Sequence, residues 1–300
     1  MKKYLLVIAG PTASGKTPLS IEVARHFNSH IISADARQFY LEMNAGTAKP
    51  SIEHLSQVPH HFINHLSIHD NYSAGDYEHE VVPFLDSLFR TQHLAMMIGG
   101  SGLFIKAVLE GFDLFPPADE EIFNKLKKLF FEEGIEPLQK LLAQHDPVYF
   151  EKVDRSNPQR LIRALTVCLS SGKPYSSFRK QKAKPRDFIP IKIGLQIEKE
   201  ELHHRIDQRV EEMMEKGLIE EARKLFPFQH LNALRTVGYS ELFDFLSEKI
   251  SMEEAVKQIK LNTHHYAKRQ MTWFKKEKEM NWFTPEQTNE IIRFIEGKMK

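Results

Sequence analysis

The sequence predicts a doubly wound α/β fold, a parallel sheet flanked by helices, with an all-helical domain inserted into it. Three observations lead there. A continuous apolar run, Tyr4 to Ala9, leads directly into a glycine-rich loop and an amphipathic helix. Short apolar runs then alternate with helical stripes as far as about residue 112. Beyond that point helical periodicity continues with no strand before about residue 187, and alternation followed by a helical block implies a layered sheet carrying an insertion.

The elements follow in order. Tyr4 to Ala9 has no polar alternation, the mark of a central strand covered on both faces. Pro18 to Phe27 spaces Leu19, Val23 and Phe27 as a helix, and His30 to Ala34 is the next short strand. Tyr72 to Phe89 places Tyr77, Val81, Phe84, Leu85 and Leu88 on one helical stripe. Leu94 to Ile98 reads as another buried strand, ending in Gly99-Gly100. Glu121 to Phe131, Pro137 to Gln144 and Pro158 to Ser170 are helices, and Lys173 to Asp187 is a basic linker with Arg179, Lys180, Lys182, Lys184 and Arg186. Ile189 to Ile197 returns as a strand, followed by three helical stretches between Lys199 and about Lys278. The expected division is a core in two parts, 1–112 and 188–300, around a helical domain at 113–187.

Composition narrows the function classes. With 41% hydrophobic and 27% charged residues among 300, and 21 Phe, the chain is neither disordered nor low-complexity. Lys and Arg number 41 against 40 Asp and Glu, so any attraction for nucleic acid must come from local patches. The single Cys168 cannot form an intramolecular disulfide, which favours a reducing, cytoplasmic setting. No stretch reaches the roughly 18 apolar residues of a membrane helix, so no membrane span is expected.

Gly10-Pro11-Thr12-Ala13-Ser14-Gly15-Lys16-Thr17 fits G-x-x-x-x-G-K-[ST], between a strand and a helix as that motif requires. Successive backbone N–H groups and a helix N-terminus cradle an anion, Lys16 adds a point charge, and the Thr17 hydroxyl is suited to Mg²⁺. The core is thus P-loop NTPase-like, and the loop specifies a polyphosphate without saying which. Strand ends converge on the crevice of such sheets, which brings Asp35 and Ser101 near the loop. On local grounds Asp35 also reads as a turn or helix-cap residue.

Beyond the loop, the sequence carries Ile32 to Tyr40, Gly46-Thr47-Ala48-Lys49-Pro50, Val58-Pro59-His60-His61, Gly99 to Gly111, Asn157 to Leu165, Val237-Gly238-Tyr239, and Ala267-Lys268-Arg269-Gln270 with Trp273-Phe274. With these motifs the chain resembles, nearly end to end, the tRNA dimethylallyltransferases, also called tRNA isopentenyltransferases. The resemblance implies transfer of a dimethylallyl group from dimethylallyl diphosphate to N6 of the adenosine at position 37 of tRNA, next to the anticodon, with Mg²⁺. It implies that Gly10 to Thr17 holds the diphosphate, with Thr17 on the metal, and that Lys16 and Arg205 stabilise the leaving group. Asp35 is then the base for the adenine amine. Asp35, Ala36, Arg37, Gln38, Ser101, Gln159, Arg160, Leu161, Ile162 and Arg163 match segments that touch tRNA. A bacterial-type short form is implied, because with Cys168 as the sole cysteine the zinc finger of the eukaryotic members is lacking, and a monomer is expected.

Alternative readings accompany these. Arg209, four residues from Arg205 and on the same helix face, has Asp207, Glu211 and Glu212 nearby for a surface ion pair. Arg160 and Arg163 would also serve to solvate a helix that packs Leu161, Ile162 and Leu165 inward. Lys257, Lys260, Lys268, Arg269, Lys275, Lys276 and Lys278 around Trp273 suit a phosphate backbone or a plain solvated face. The sequence departs from the family at Ala36 and Arg37, where Ser and a small or apolar residue are usual, and at Ser101, where Thr is common. Gln196-Ile197-Glu198-Lys199 lacks an Asp-Arg pair often found there. No carboxylate or cysteine completes a zinc spacing around His60, His61 and His65 or around His264 and His265. The competing functions are a P-loop kinase of a small metabolite or nucleotide, an adenylate isopentenyltransferase, and a tRNA-binding protein that has lost catalysis.

Overall fold

A computed structural model describes residues 2–113, 115–117, 119–179 and 183–300. They form two compact units, Met1–Leu109 with Pro185–Lys300, and Glu110–Lys184. The second unit starts and ends three residues earlier than the 113–187 read from the sequence.

In chain order the first unit opens with β1 (Tyr4–Ala9), α1 (Lys16–His26), β2 (Ile31–Ser33), α2 (Ile52–Gln57), β3 (His60–His61), α3 (Ala74–Leu88), β4 (Leu94–Gly99) and α4 (Gly102–Glu110). The second unit holds α5 (Glu120–Glu133), α6 (Glu136–His145), α7 (Pro147–Phe150), α8 (Pro158–Ser171) and α9 (Tyr175–Phe178). The first resumes with β5 (Ile189–Leu195), α10 (Lys199–Glu215), α11 (Leu218–Leu225), α12 (Tyr239–Leu246), α13 (Met252–Phe274), β6 (Asn281–Phe283) and α14 (Thr288–Met299).

The sheet is wholly parallel, in the order β3-β2-β4-β1-β5-β6. β1 lies between β4 and β5, with Tyr4 opposite Leu94 on one side and Ile189 on the other. Its unbroken apolar sequence follows from that position. Leu6 and Ile8 pack with Leu19 and Val23 of α1 and Ile291 and Ile295 of α14. Leu5, Val7 and Ala9 face the opposite way, toward Tyr77, Val81 and Leu85 of α3 and Phe274 of α13. A strand whose two faces are both dry has no place for polar alternation.

A third cluster joins α10 to α13 through Val210, Leu218, Ala222, Leu242, Phe243 and Ile259, together with Tyr40 and Met43. The 199–278 segment contains four α-helices where the sequence suggested three stretches, because Gly217 and the loop around Pro227 break what reads as one amphipathic run. Strands β3 and β6 and helices α2, α4 and α14 have no counterpart in the sequence reading. The two strands are two and three residues long and sit at the sheet edges, too short to show a period.

In the helical unit, Leu126, Leu138, Leu142, Leu161, Ile162 and Leu165 form a core of their own. Helix α8 starts at Asn157, whose side chain accepts from Arg160 N–H, with Pro158 in the first turn. The 173–187 stretch is more than a polar linker. Buried Asp146 accepts from Ser176 N–H (2.6 Å) and Oγ (2.8 Å), which fixes α9. In the first unit, Arg186 pairs with buried Glu78 at 2.8 Å and donates to the carbonyls of Ala107 and Val108, so its charge serves the interior. Lys180 and Lys182 lie outside the described residues. Among the described residues no helix is long and apolar enough to cross a membrane.

Candidate active site

β1 delivers the chain to the phosphate loop at the C-terminal end of the sheet. Gly15 closes the loop at the N-terminus of α1 with φ 79°, a left-handed conformation that a side chain would strain. Buried Ser14 turns its N–H to the Pro11 carbonyl. Lys16 lies back along its own loop, donating to the carbonyls of Pro11 (2.6 Å) and Gly10 (3.1 Å). Burial pushes its pKa down to about 7; Arg209 adds to the depression and Asp35 opposes it.

The loop opens onto a cavity of about 740 Å³ lined by Thr12 to Thr17, Asp35 to Gln38, Ser101, Arg209, Tyr266 and Gln270. A wider cleft of about 1200 Å³ shares Ala13, Thr17 and Arg209 and is walled by Lys49, Arg205 and Glu221 among others. Asp35 follows β2, and one of its carboxylate oxygens accepts from Arg37 N–H at 3.1 Å. Ser101, just after β4, accepts from Ala36 N–H at 3.0 Å and donates its own N–H to the Ala34 carbonyl. The hydroxyl retained at position 101 therefore braces the Asp35 loop. Arg37 donates to the Ala233 carbonyl at 2.9 Å, which ties the guanidinium to the protein's own 232–233 turn.

The two arginines of α10 divide differently from the reading that preferred Arg205. Arg205 lies beside the loop, but Glu201 (2.6 Å) and Glu286 (3.3 Å) hold it. Arg209 faces Lys16 and Asp35, where burial lowers its pKa and Asp35 offsets part of the loss. Lys16, Arg37 and Arg209 line the cavity against Asp35 and Glu212, a cationic excess that suits a multiply charged anion. Arg209 has three acidic neighbours along the chain, and only the turn of α10 shows which way it points.

Tyr266 and Gln270, one helical turn apart on α13, also line the cavity. The Tyr266 phenol is raised to about 12 by burial first and by Asp35 second, so it remains protonated. Of the Lys268-Arg269-Gln270 signature only Gln270 lies on this face of α13, with Tyr266 four residues earlier on it; Lys268 and Arg269 are exposed.

The remaining candidates separate by unit. In the helical unit, Gln159, Arg160 and Arg163 are exposed on α8, and Arg163 stands over the Phe115 ring, itself stacked on Tyr175. Leu161 and Ile162 are instead buried and belong to the helical core. Apolar side chains on the inner face of an amphipathic helix are not available to RNA. On α13, Lys260 is paired with Glu211 at 2.6 Å, Arg269 stands over Tyr266, and Phe274 is core while Trp273 remains partly exposed. Among the described residues no group of three or more His, Cys, Asp or Glu side chains is placed to share a metal. His30 and His61 hydrogen-bond to each other, and His264 pairs with Asp207.

The profile of the IPP transferase family matches residues 38–277. The chain is 51% identical to the tRNA dimethylallyltransferase of Christiangramia forsetii, covering all of this chain and 99% of that one. Its structure is similar to the full-length tRNA isopentenylpyrophosphate transferase of Bacillus halodurans, with a TM-score of 0.74 and 33% identity over 99% of this chain and 97% of the other. A eukaryotic dimethylallyltransferase acting on tRNA gives a TM-score of 0.74 at 25% identity, over 91% of this chain and 70% of its own. With a phosphate loop facing an acidic strand end, and sequence likeness running the length of the protein, the chain belongs to the IPP transferase family.

Proposed function

We infer that this protein is a tRNA dimethylallyltransferase that acts as a cytoplasmic monomer. It transfers the dimethylallyl group of dimethylallyl diphosphate to N6 of the adenosine at position 37, in tRNAs reading codons that begin with U, and releases diphosphate. The observation that carries this reading is the single cavity in which the phosphate loop, Lys16 and Arg209 face Asp35. A phosphate cradle opposite a carboxylate suits alkyl transfer from a diphosphate to a weakly nucleophilic amine.

The loop amides and Arg209 bind the diphosphate, whose charge draws a proton onto Lys16 and its ammonium toward the phosphate oxygens. As the allylic C–O bond breaks, the electron pair goes to the diphosphate and the N6–C bond forms. Asp35 orients the amine and accepts its proton. The Thr17 hydroxyl is a hard oxygen donor that fits Mg²⁺, which supplies further neutralisation of the leaving diphosphate when bound. The adenine must leave its stack to reach this cavity. We assign Gln159, Arg160 and Arg163 of the Glu110–Lys184 unit to the tRNA backbone, because they are the solvent-facing members of that motif. The side chains of Leu161 and Ile162 are excluded from that role by burial.

The test is incubation of the protein with Mg²⁺, labelled dimethylallyl diphosphate and unmodified tRNA, followed by mass analysis of the nucleosides. Label on N6 of the adenosine beside the anticodon is expected. Label on free AMP or ADP but not tRNA would move the assignment to an adenylate prenyltransferase, and ATP-dependent phosphorylation of a small acceptor would replace it with a kinase.

A further inference from the structure

We propose that Gln270 is a positioning residue that sets the separation between the diphosphate loop and the Asp35 loop; the proposal rests on the transferase reading above. Gln270 is 7% exposed and far in sequence from both partners. Its Oε1 accepts from Thr12 N–H at 2.9 Å, and its Nε2 donates to the Gly100 carbonyl at 2.9 Å. Thr12 belongs to the phosphate loop. Gly100 precedes Ser101, whose hydroxyl accepts from Ala36 N–H next to Asp35. One side chain thus links the element that holds the leaving group to the element that carries the base.

The sequence around both ends is built for this contact. A Cβ on Gly100 would lie 2.2 Å from Gln270 Nε2, and a Cβ on Gly102 would lie 2.2 Å from Nε1 of Trp273, three residues further along α13. The glycines after β4 and the Gln and Trp of α13 are therefore two halves of one joint. The joint needs a side chain that accepts at one end and donates at the other. Glutamine does both, a carboxylate only accepts, and methionine of similar length donates nothing and accepts only weakly through its sulfur. The Thr12 amide, held by Gln270, is turned toward α13, which fixes the orientation from which the following loop amides approach the phosphates.

The test compares wild type, Gln270→Met and Gln270→Glu for kcat, for KM toward dimethylallyl diphosphate and tRNA, and for thermal midpoint. Misplacing reacting groups by about 1 Å costs on the order of 10²-fold, so Gln270→Met should lose about 10- to 100-fold in kcat at temperatures well below its melting point, with KM for tRNA within about threefold. Gln270→Glu adds a readout that packing alone would not move. At pH 8 its carboxylate holds Thr12 but repels the Gly100 carbonyl; as pH falls the protonated acid regains a donor, and its rate relative to wild type should rise. If Gln270→Met does not fold, this pH ratio decides. Wild-type transfer with Gln270→Met within about twofold in kcat, or a Gln270→Glu ratio flat with pH, would overturn the role of Gln270. Wild-type protein that fails to label tRNA would instead refute the transferase reading.

Discussion

Asp35 and Lys16 occupy one cavity with opposite tasks, and each makes a separable prediction. The bond from Arg37 N–H engages one oxygen of Asp35 and orients the carboxyl without neutralising it. Asp35→Ala should lower transfer by at least the roughly 10²-fold of a lost general base, while tRNA affinity measured by filter binding stays near wild type; an equal rate removes Asp35 from the reaction. For Lys16, a pKa of about 7 leaves roughly a tenth of the side chain charged at pH 8. Diphosphate favours the charged form and raises that pKa, so binding at pH 8 takes up a proton, and affinity weakens as pH climbs above 7. Titrating inorganic diphosphate calorimetrically in two buffers of different ionisation enthalpy should show this uptake, beyond the ligand's own, and lose it in Lys16→Met. At this scale the phosphate loop and Asp35 were legible in the sequence, being local motifs at strand ends. Arg209 and Gln270 were not, because their roles depend on where α10 and α13 lie in three dimensions.

Glu221 shows how an element is fastened at its end. Its carboxylate accepts from three successive backbone N–H groups, those of Asn44, Ala45 and Gly46, and from the Tyr239 hydroxyl at 2.6 Å. It thereby holds the turn leading into Ala48 and Lys49 at the rim of the wider cleft. Glu221→Ala leaves these donors without their acceptor and should destabilise the protein by about 1–3 kcal/mol, read from urea unfolding; an unchanged midpoint would mean that water replaces the carboxylate at no cost. In the helical unit, Asn157→Ala removes the cap of α8 and should cost about 1 kcal/mol, with the loss confined to amides of residues 110–184 in hydrogen exchange. Helices with a strong period, such as α3 and α8, were legible, and so was β1 through its unbroken apolar run. The gaps were edge strands without a period and the break at Gly217, where one amphipathic stripe continues across two helices.

The two units carry different parts of the proposed reaction, which the whole chain can test. Lys184 N–H donates to the Glu110 carbonyl at 2.7 Å, so the ends of the helical unit meet and a short bridge can replace it. A protein lacking residues 110–184 should keep the far-UV signature of the sheet and its affinity for inorganic diphosphate, yet lose salt-sensitive binding to tRNA. Tight, salt-dependent binding by the shortened chain would remove the helical unit from recognition.

The place of β1 also bears on how the protein is made. Its partner β4 leaves the ribosome early, but β5, which covers its other edge, begins only at Ile189, after the whole helical unit has been translated. Until then a fully apolar strand presents an open ladder of backbone groups, the template on which strands of other chains can add. The helical unit, with its separate core, can close meanwhile. Nascent chains arrested shortly before Ile189 should therefore recruit holdase chaperones, and release them once β5 emerges.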